Sequence, residues 1–97
     1  MTTSPSPVRN YRKDPDAVLD YGLDWTDWLA SGEAITASAW EAVPGTISLA
    51  NPTFSDEATK VWVSGGTDGE AYFLTNRITT SDNRTDDRTI GIVVAER

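Results

Sequence analysis

A chain of 97 residues makes one domain, and a body this small buries only about two-thirds of the surface its extended chain exposes. It contains no cysteine and no histidine, which removes thiol nucleophiles, imidazole bases, disulfides, haem ligation and the ordinary zinc sites together. Fifteen acids against eight bases leave a net charge of −7, which argues against nucleic acid as a partner because phosphate binding needs a basic face.

No apolar run approaches the ~20 residues that span a bilayer, and the N-terminus lacks the apolar block of a secretory leader. The expectation is a soluble chain made in a cytoplasm, with no membrane partner and no cofactor. Stability should be modest, on the order of 5 to 10 kcal/mol.

Residues 1–13 hold two prolines, small polar residues and almost nothing apolar. Such a segment cannot offset its own ordering entropy and reads as an extended arm, with a single domain over residues 14–97. The arm is basic through Arg9, Arg12 and Lys13, whereas Asp14, Asp16, Asp20, Asp24, Asp27 and Glu33 follow with no base among them. Two readings stay open. Both regions are solvated surface, or the arm of one copy, with Arg9, Tyr11, Arg12 and Lys13 as contacts, lies on the acidic surface of a neighbour and lets go as salt rises.

Asp20 to Trp25 alternates Tyr21, Leu23 and Trp25 against Asp20, Gly22 and Asp24, a strand with one wet face. Thr26 to Ala30 has room for one helical turn capped by Thr26, with Trp28 and Leu29 plugging an end of the core. Ala34 to Glu41 is a second strand in which Ile35, Ala37 and Ala39 oppose Thr36, Ser38 and Trp40. If the first set faces inward, Trp40 is at least partly exposed. Val43-Pro44-Gly45 is a turn, Thr46 to Leu49 resumes a strand with Ile47 and Leu49 inward, and Asn51-Pro52 breaks it before a short edge piece at Thr53 to Ser55.

Lys60 to Ser64 and Ala71 to Ser81 are two β-branched and aromatic runs flanking a glycine-rich, acidic connection. In the second run Tyr72, Leu74, Asn76 and Ile78 share the core face, while Phe73, Thr75, Arg77 and Thr79 face out. A buried Asn76 must find partners or lose roughly 1 to 3 kcal/mol, and the expectation is backbone of a neighbouring loop. Asp82 to Asp87 is a polar hairpin loop leading to Arg88–Glu96, where Ile90, Ile92 and Val94 alternate with Gly91, Val93 and Ala95. Six or seven strands and no long helix define an all-β chain.

Gly69-Glu70-Ala71-Tyr72-Phe73-Leu74 resembles the tyrosine corner of immunoglobulin-like sandwiches, in which a Tyr hydroxyl bonds upstream backbone two residues before a core position. Antibody domains place a cysteine at that position; Leu74 stands there here, so apolar packing must hold the sheets. Asp14-Pro15-Asp16-Ala17-Val18-Leu19-Asp20-Tyr21 with Asp24-Trp25, then Trp62-Val63-Ser64-Gly65-Gly66, Leu74-Thr75-Asn76-Arg77-Ile78-Thr79-Thr80 and Glu96-Arg97 together resemble a family of small tailed-phage fibre-tail adaptors. The resemblance implies an immunoglobulin-like antiparallel β-sandwich and a virion structural role. Its partners would be tail, fibre or capsid components bound in multiple copies.

The candidate sites follow. Trp25, Tyr72, Leu74 and Asn76 are read as structural; Trp40 and Trp62, with Arg77, as interface residues on outer faces, since indole rings concentrate binding energy at protein contacts. Arg77 and Arg88 also have the option of pairing with acids of their own sheet. The acidic band invites a hard cation, yet EF-hand spacing is missing: from Asp82 the third position is Arg84 and the sixth is Asp87. Asp24 with Asp27, or Asp86 with Asp87, supplies paired carboxylates but no pocket motif or activated nucleophile. The residues read as non-enzymatic, and the resemblance implies a tail and fibre adaptor, with head decoration or a glycan-binding adsorption module as alternatives.

Overall fold

Period-two alternation decides the centre of the molecule. In the computed structural model, which describes residues 9–96, the run Ala71–Thr80 has Tyr72, Leu74, Asn76, Ile78 and Thr80 buried with more exposed residues between them. In chain order the strands are β1 (Arg9–Lys13), β2 (Leu19–Asp24), β3 (Ile35–Val43), β4 (Ile47–Phe54), β5 (Ala58–Gly65), β6 (Ala71–Thr80) and β7 (Thr85–Val94). They form a four-stranded sheet in the order β1-β7-β6-β3 and a three-stranded sheet in the order β2-β5-β4. The described residues contain no helix. This is an immunoglobulin-like β-sandwich.

Two apolar clusters fill the space between the sheets. The larger joins Tyr21, Val61, Val63 and Ile47 of one sheet to Tyr72, Leu74, Ile90, Ile92 and Val94 of the other. The smaller is Trp25, Ile35 and Ile78, closed by Leu23, Trp28 and Leu29. Trp28 and Leu29 thus plug the end of the core as the sequence suggested. Leu74 is fully buried in the place open to a bridging cysteine.

The connection from β5 to β6 crosses between sheets and carries the tyrosine corner. The Tyr72 hydroxyl accepts from the Thr67 backbone N–H at 2.8 Å and shares a 2.7 Å hydrogen bond with the Thr46 hydroxyl. Gly66 sits there at φ +97°, and a Cβ on it would come 2.7 Å from Val94 Cγ2. Only glycine tolerates both the left-handed backbone and that approach.

Four expectations are corrected by local geometry. In β3 the register shifts between Ile35 and Ala37, so one extra residue inverts every later side chain. Ser38, Trp40 and Ala42 turn inward, and Ala37, Ala39, Glu41 and Val43 are exposed. Asn51-Pro52 does not end its strand: β4 continues to Phe54 through an irregularity between Ala50 and Thr53, with Asn51 at φ 51°. The turn after β2 is capped by Asp24, whose Oδ1 accepts from the Thr26 N–H and hydroxyl, and not by Thr26. The β6–β7 hairpin is tighter than 82–87, since pairing runs on to Thr79 opposite Thr85.

The N-terminal segment is extended, but residues 9–13 are not free: they form β1, parallel to β7, with Lys13 opposite Val94. Tyr11 packs edge-on to Tyr21 at 5.1 Å. The remainder of the expected arm, residues 1–8, lies outside the described residues.

Asn76 is buried and fully bonded, though its partners are not loop backbone. Its Oδ1 accepts from Trp25 Nε1 at 3.1 Å and from the Thr59 hydroxyl at 2.7 Å. Its Nδ2 donates to Ser38 Oγ at 2.9 Å and to the Ala39 carbonyl at 3.0 Å. Replacing Asn76 by Leu keeps the branched outline but adds bulk to a closed site and orphans two buried donors, each worth about 1–3 kcal/mol. The expected outcome is a large drop in the urea midpoint with little change in its slope; a variant as stable as the parent would show that the amide is dispensable.

Candidate protein-binding surface

The outer face of the three-stranded sheet is built from alternate residues of its strands. On β5, Val61 and Val63 point into the core, so Lys60, Trp62 and Ser64 point out. Trp62 lies between Asp20 of β2 and Ala50 of β4 in register. Both neighbours are short, and the indole is 36% exposed. Lys60 Nζ stands 6.0 Å from its ring centroid and 3.9 Å from Asp20 Oδ2, an exposed pair of small energetic value. The result is one partly exposed indole with a loose ion pair beside it.

The other three tryptophans serve the body. Trp25 is fully buried, bonded to Asn76, with the Arg88 guanidinium 4.2 Å over its ring. Trp28 stacks edge-on to Trp25 at 5.5 Å and carries Arg84 4.0 Å over its own face. Trp40 is corrected from an outer to an inner position: the β3 bulge packs it against the larger core cluster, and its buried Nε1 has no hydrogen-bond partner among the described residues.

The remaining candidate contacts separate in the same way. Lys13 is buried, donating from Nζ to the Asp14 carbonyl at 2.9 Å and the Gly65 carbonyl at 2.7 Å, and so pins β1 to the glycine corner. Burial pulls its ammonium below the usual lysine range, against the raising influence of Asp14 and Asp16. Tyr11 is turned into the core edge, Arg12 is exposed, and the Arg9 side chain lies outside the described residues. Arg77 is exposed and engaged in its own sheet, donating to both Asp87 oxygens at 2.8 and 3.0 Å. Arg88 instead donates to the Asp24 carbonyl at 3.0 Å.

Sequence reading missed an ion pair between a buried carboxylate of the acidic band, Glu33, and the half-exposed Arg84. Glu33 takes two hydrogen bonds from Arg84, one from the Thr80 hydroxyl and one from the Ala30 N–H, tying the β2–β3 connection to the β6–β7 hairpin. The Arg84 guanidinium, then the Thr80 hydroxyl and the Ala30 N–H, hold the Glu33 carboxyl at about 2. Partners fifty-one residues apart leave no local spacing to detect. No group of three or more carboxylates close enough to hold a metal ion occurs among the described residues.

The two packed sheets and the Tyr72 corner bond place the chain in the class of immunoglobulin-like β-sandwiches. A solved structure described as the solution structure of the PKD domain from KIAA 1837 protein superposes with TM-score 0.59 at 16% identity, over 99% of this chain and 94% of that one. That likeness shows the fold. No curated protein sequence matches the chain. The family model described as podophage GP4 fiber-tail adaptor protein gp77 matches residues 13–93. The chain belongs to this fibre-tail adaptor family, and its role is that of a phage tail adaptor, a virion component.

Because its pKa falls on folding from 4.5 to about 2, Glu33 contributes stability that is complete above pH ~4.5 and disappears as pH drops toward ~2. Glu33→Gln should therefore lower the thermal midpoint at neutral pH, and the midpoints of parent and variant should converge on acidification through that window. Parallel curves down to pH ~2 would count against the assignment.

Proposed function

We propose that this adaptor works by protein–protein contact alone, without catalysis or cofactor, and that the outer face around Trp62 is a surface it presents to a neighbouring virion protein. Synthesis in the host cytoplasm and assembly in multiple copies complete the reading. The observation that carries it is the position of Trp62: a large aromatic group turned outward by a strand whose alternate residues are buried, set between Asp20 and Ala50 and partly exposed.

Removing an indole at the centre of a contact typically loses about 2 kcal/mol or more, roughly thirtyfold in affinity. The test compares two serine variants added to particles that lack the protein. Trp62→Ser should stay folded and monodisperse yet fail to incorporate. Trp40→Ser should instead lose about 2–4 kcal/mol of stability, because that ring packs against the core. Normal incorporation of folded Trp62→Ser would remove this face from the contact.

A further inference from the structure

Among the described residues, three tryptophans have a cation beside the ring, and one of the three contacts is unlike the others. The Arg84 guanidinium lies 4.0 Å from the Trp28 ring and that of Arg88 lies 4.2 Å from the Trp25 ring, both in close contact. At Trp62 the cation is a lysine, with Lys60 Nζ 6.0 Å from the ring centroid, the outer limit of a cation–π contact. The same ammonium stands 3.9 Å from Asp20 Oδ2, the outer limit of an ion pair. Register makes the indole and the carboxylate neighbours, since Trp62 lies opposite Asp20 across β5 and β2. An indole and a carboxylate set side by side on an outer face form a seat for a cation, and Lys60 fills it loosely.

Lys60 also has another place to go. It lies opposite Gly22, midway in register between Asp20 and Asp24. Gly22 has no side chain to separate those two carboxylates. On the Asp24 side is an open groove of about 660 Å³, whose lining includes Gly22, Asp24, Glu57, Ala58 and Lys60. Among the described residues neither Asp24 nor Glu57 takes part in an ion pair. A flexible four-carbon stem therefore lets the ammonium turn from Asp20 toward Asp24 without leaving its charge uncompensated.

We infer that the Asp20 and Trp62 pair receives an arginine side chain of the neighbouring virion protein, and that Lys60 is a placeholder which this arginine displaces toward Asp24 and Glu57. The inference rests on the proposed Trp62 contact and names the chemistry that contact selects. Arginine suits the seat better than lysine does. Its planar guanidinium stacks on an indole while its fork bonds a carboxylate, and it is more weakly hydrated than an ammonium. The chain displays both halves of that geometry elsewhere: Arg84 and Arg88 lie against their tryptophans, and Arg77 donates to both oxygens of Asp87. A body with a net charge of −7 also draws a cationic group toward it. A sugar stacked on the indole is the competing occupant, and it has no charge with which to displace Lys60.

Nuclear magnetic resonance titration of the full chain with arginine amide at low salt tests the seat. Signals of the Trp62 indole, Asp20 and Lys60 should move together, with a dissociation constant on the order of 10 mM. Asp20→Asn should weaken binding severalfold, and Lys60→Gln should strengthen it severalfold. Arg12→Gln makes the same change in net charge on the opposite sheet and should stay within about twofold of the parent. In particles that lack the protein, Asp20→Lys should incorporate about tenfold less well than the parent, or worse. If Trp62→Ser fails to incorporate while Asp20→Lys incorporates normally, the contact stands and the arginine is removed from it. Normal incorporation of Trp62→Ser removes both. The inference is also overturned if arginine amide leaves the Trp62 and Asp20 signals unmoved, if Lys60→Gln and Arg12→Gln gain equally, or if tri-N-acetylglucosamine moves these signals and arginine amide does not.

Discussion

Much of this molecule follows from where one amide is placed. Asn76 sits on the core face of β6 and engages both ends of its side chain: two acceptor contacts reach Trp25 and Thr59, and two donor contacts reach Ser38 and the Ala39 carbonyl. A buried amide with any of these missing would be a liability; fully bonded, it specifies one arrangement. Thr59 belongs to β5 and Ser38 to β3, so the amide ties the two sheets together where no cysteine is present to do so.

The consequences extend to both surfaces. Because Nδ2 reaches Ser38 Oγ, Ser38 must face inward, which requires the bulge after Ile35. Once Ser38 is inward, Trp40 and Ala42 are inward too, and Glu41 and Val43 stand on the outer face. The same amide orients Trp25, against which Trp28 and Arg88 are stacked. A polar group in the middle of the core therefore decides which side chains a partner meets.

The strands that pair by simple alternation were legible from the sequence. β6 and β7 have Leu74, Ile78, Ile90, Ile92 and Val94 where the pattern puts them, and Tyr72 forms its corner bond to Thr67. What was not legible depends on partners far along the chain. Lys13 is buried because the carbonyls of Asp14 and Gly65 satisfy its ammonium, which composition alone reads as an exposed charge. Residues 9–13 have only Tyr11 to bury and order by pairing with β7. The β3 bulge inverts Trp40, and a bulge leaves no mark in an alternation of small residues such as Ala37, Ser38 and Ala39. The outward side chains Val43, Phe73 and Val93 escaped notice for a related reason: each stands on a different strand, unremarkable until register sets them near one another.

The edges explain why contacts should form through faces. An open sheet edge is a template for further strands unless it is blunted. Here β2 carries Asp20 and Asp24 with Gly22 between them, and β4 is interrupted at Asn51-Pro52. In the other sheet β3 bulges at its start, and Asp14-Pro15 follows directly on β1. With every edge charged or irregular, continued strand addition is disfavoured, and a chain that must still bind neighbours is left with its two outer faces. These lie on opposite sides of a packed core about 10 Å thick between the sheets. A partner seated on either face therefore leaves the other uncovered.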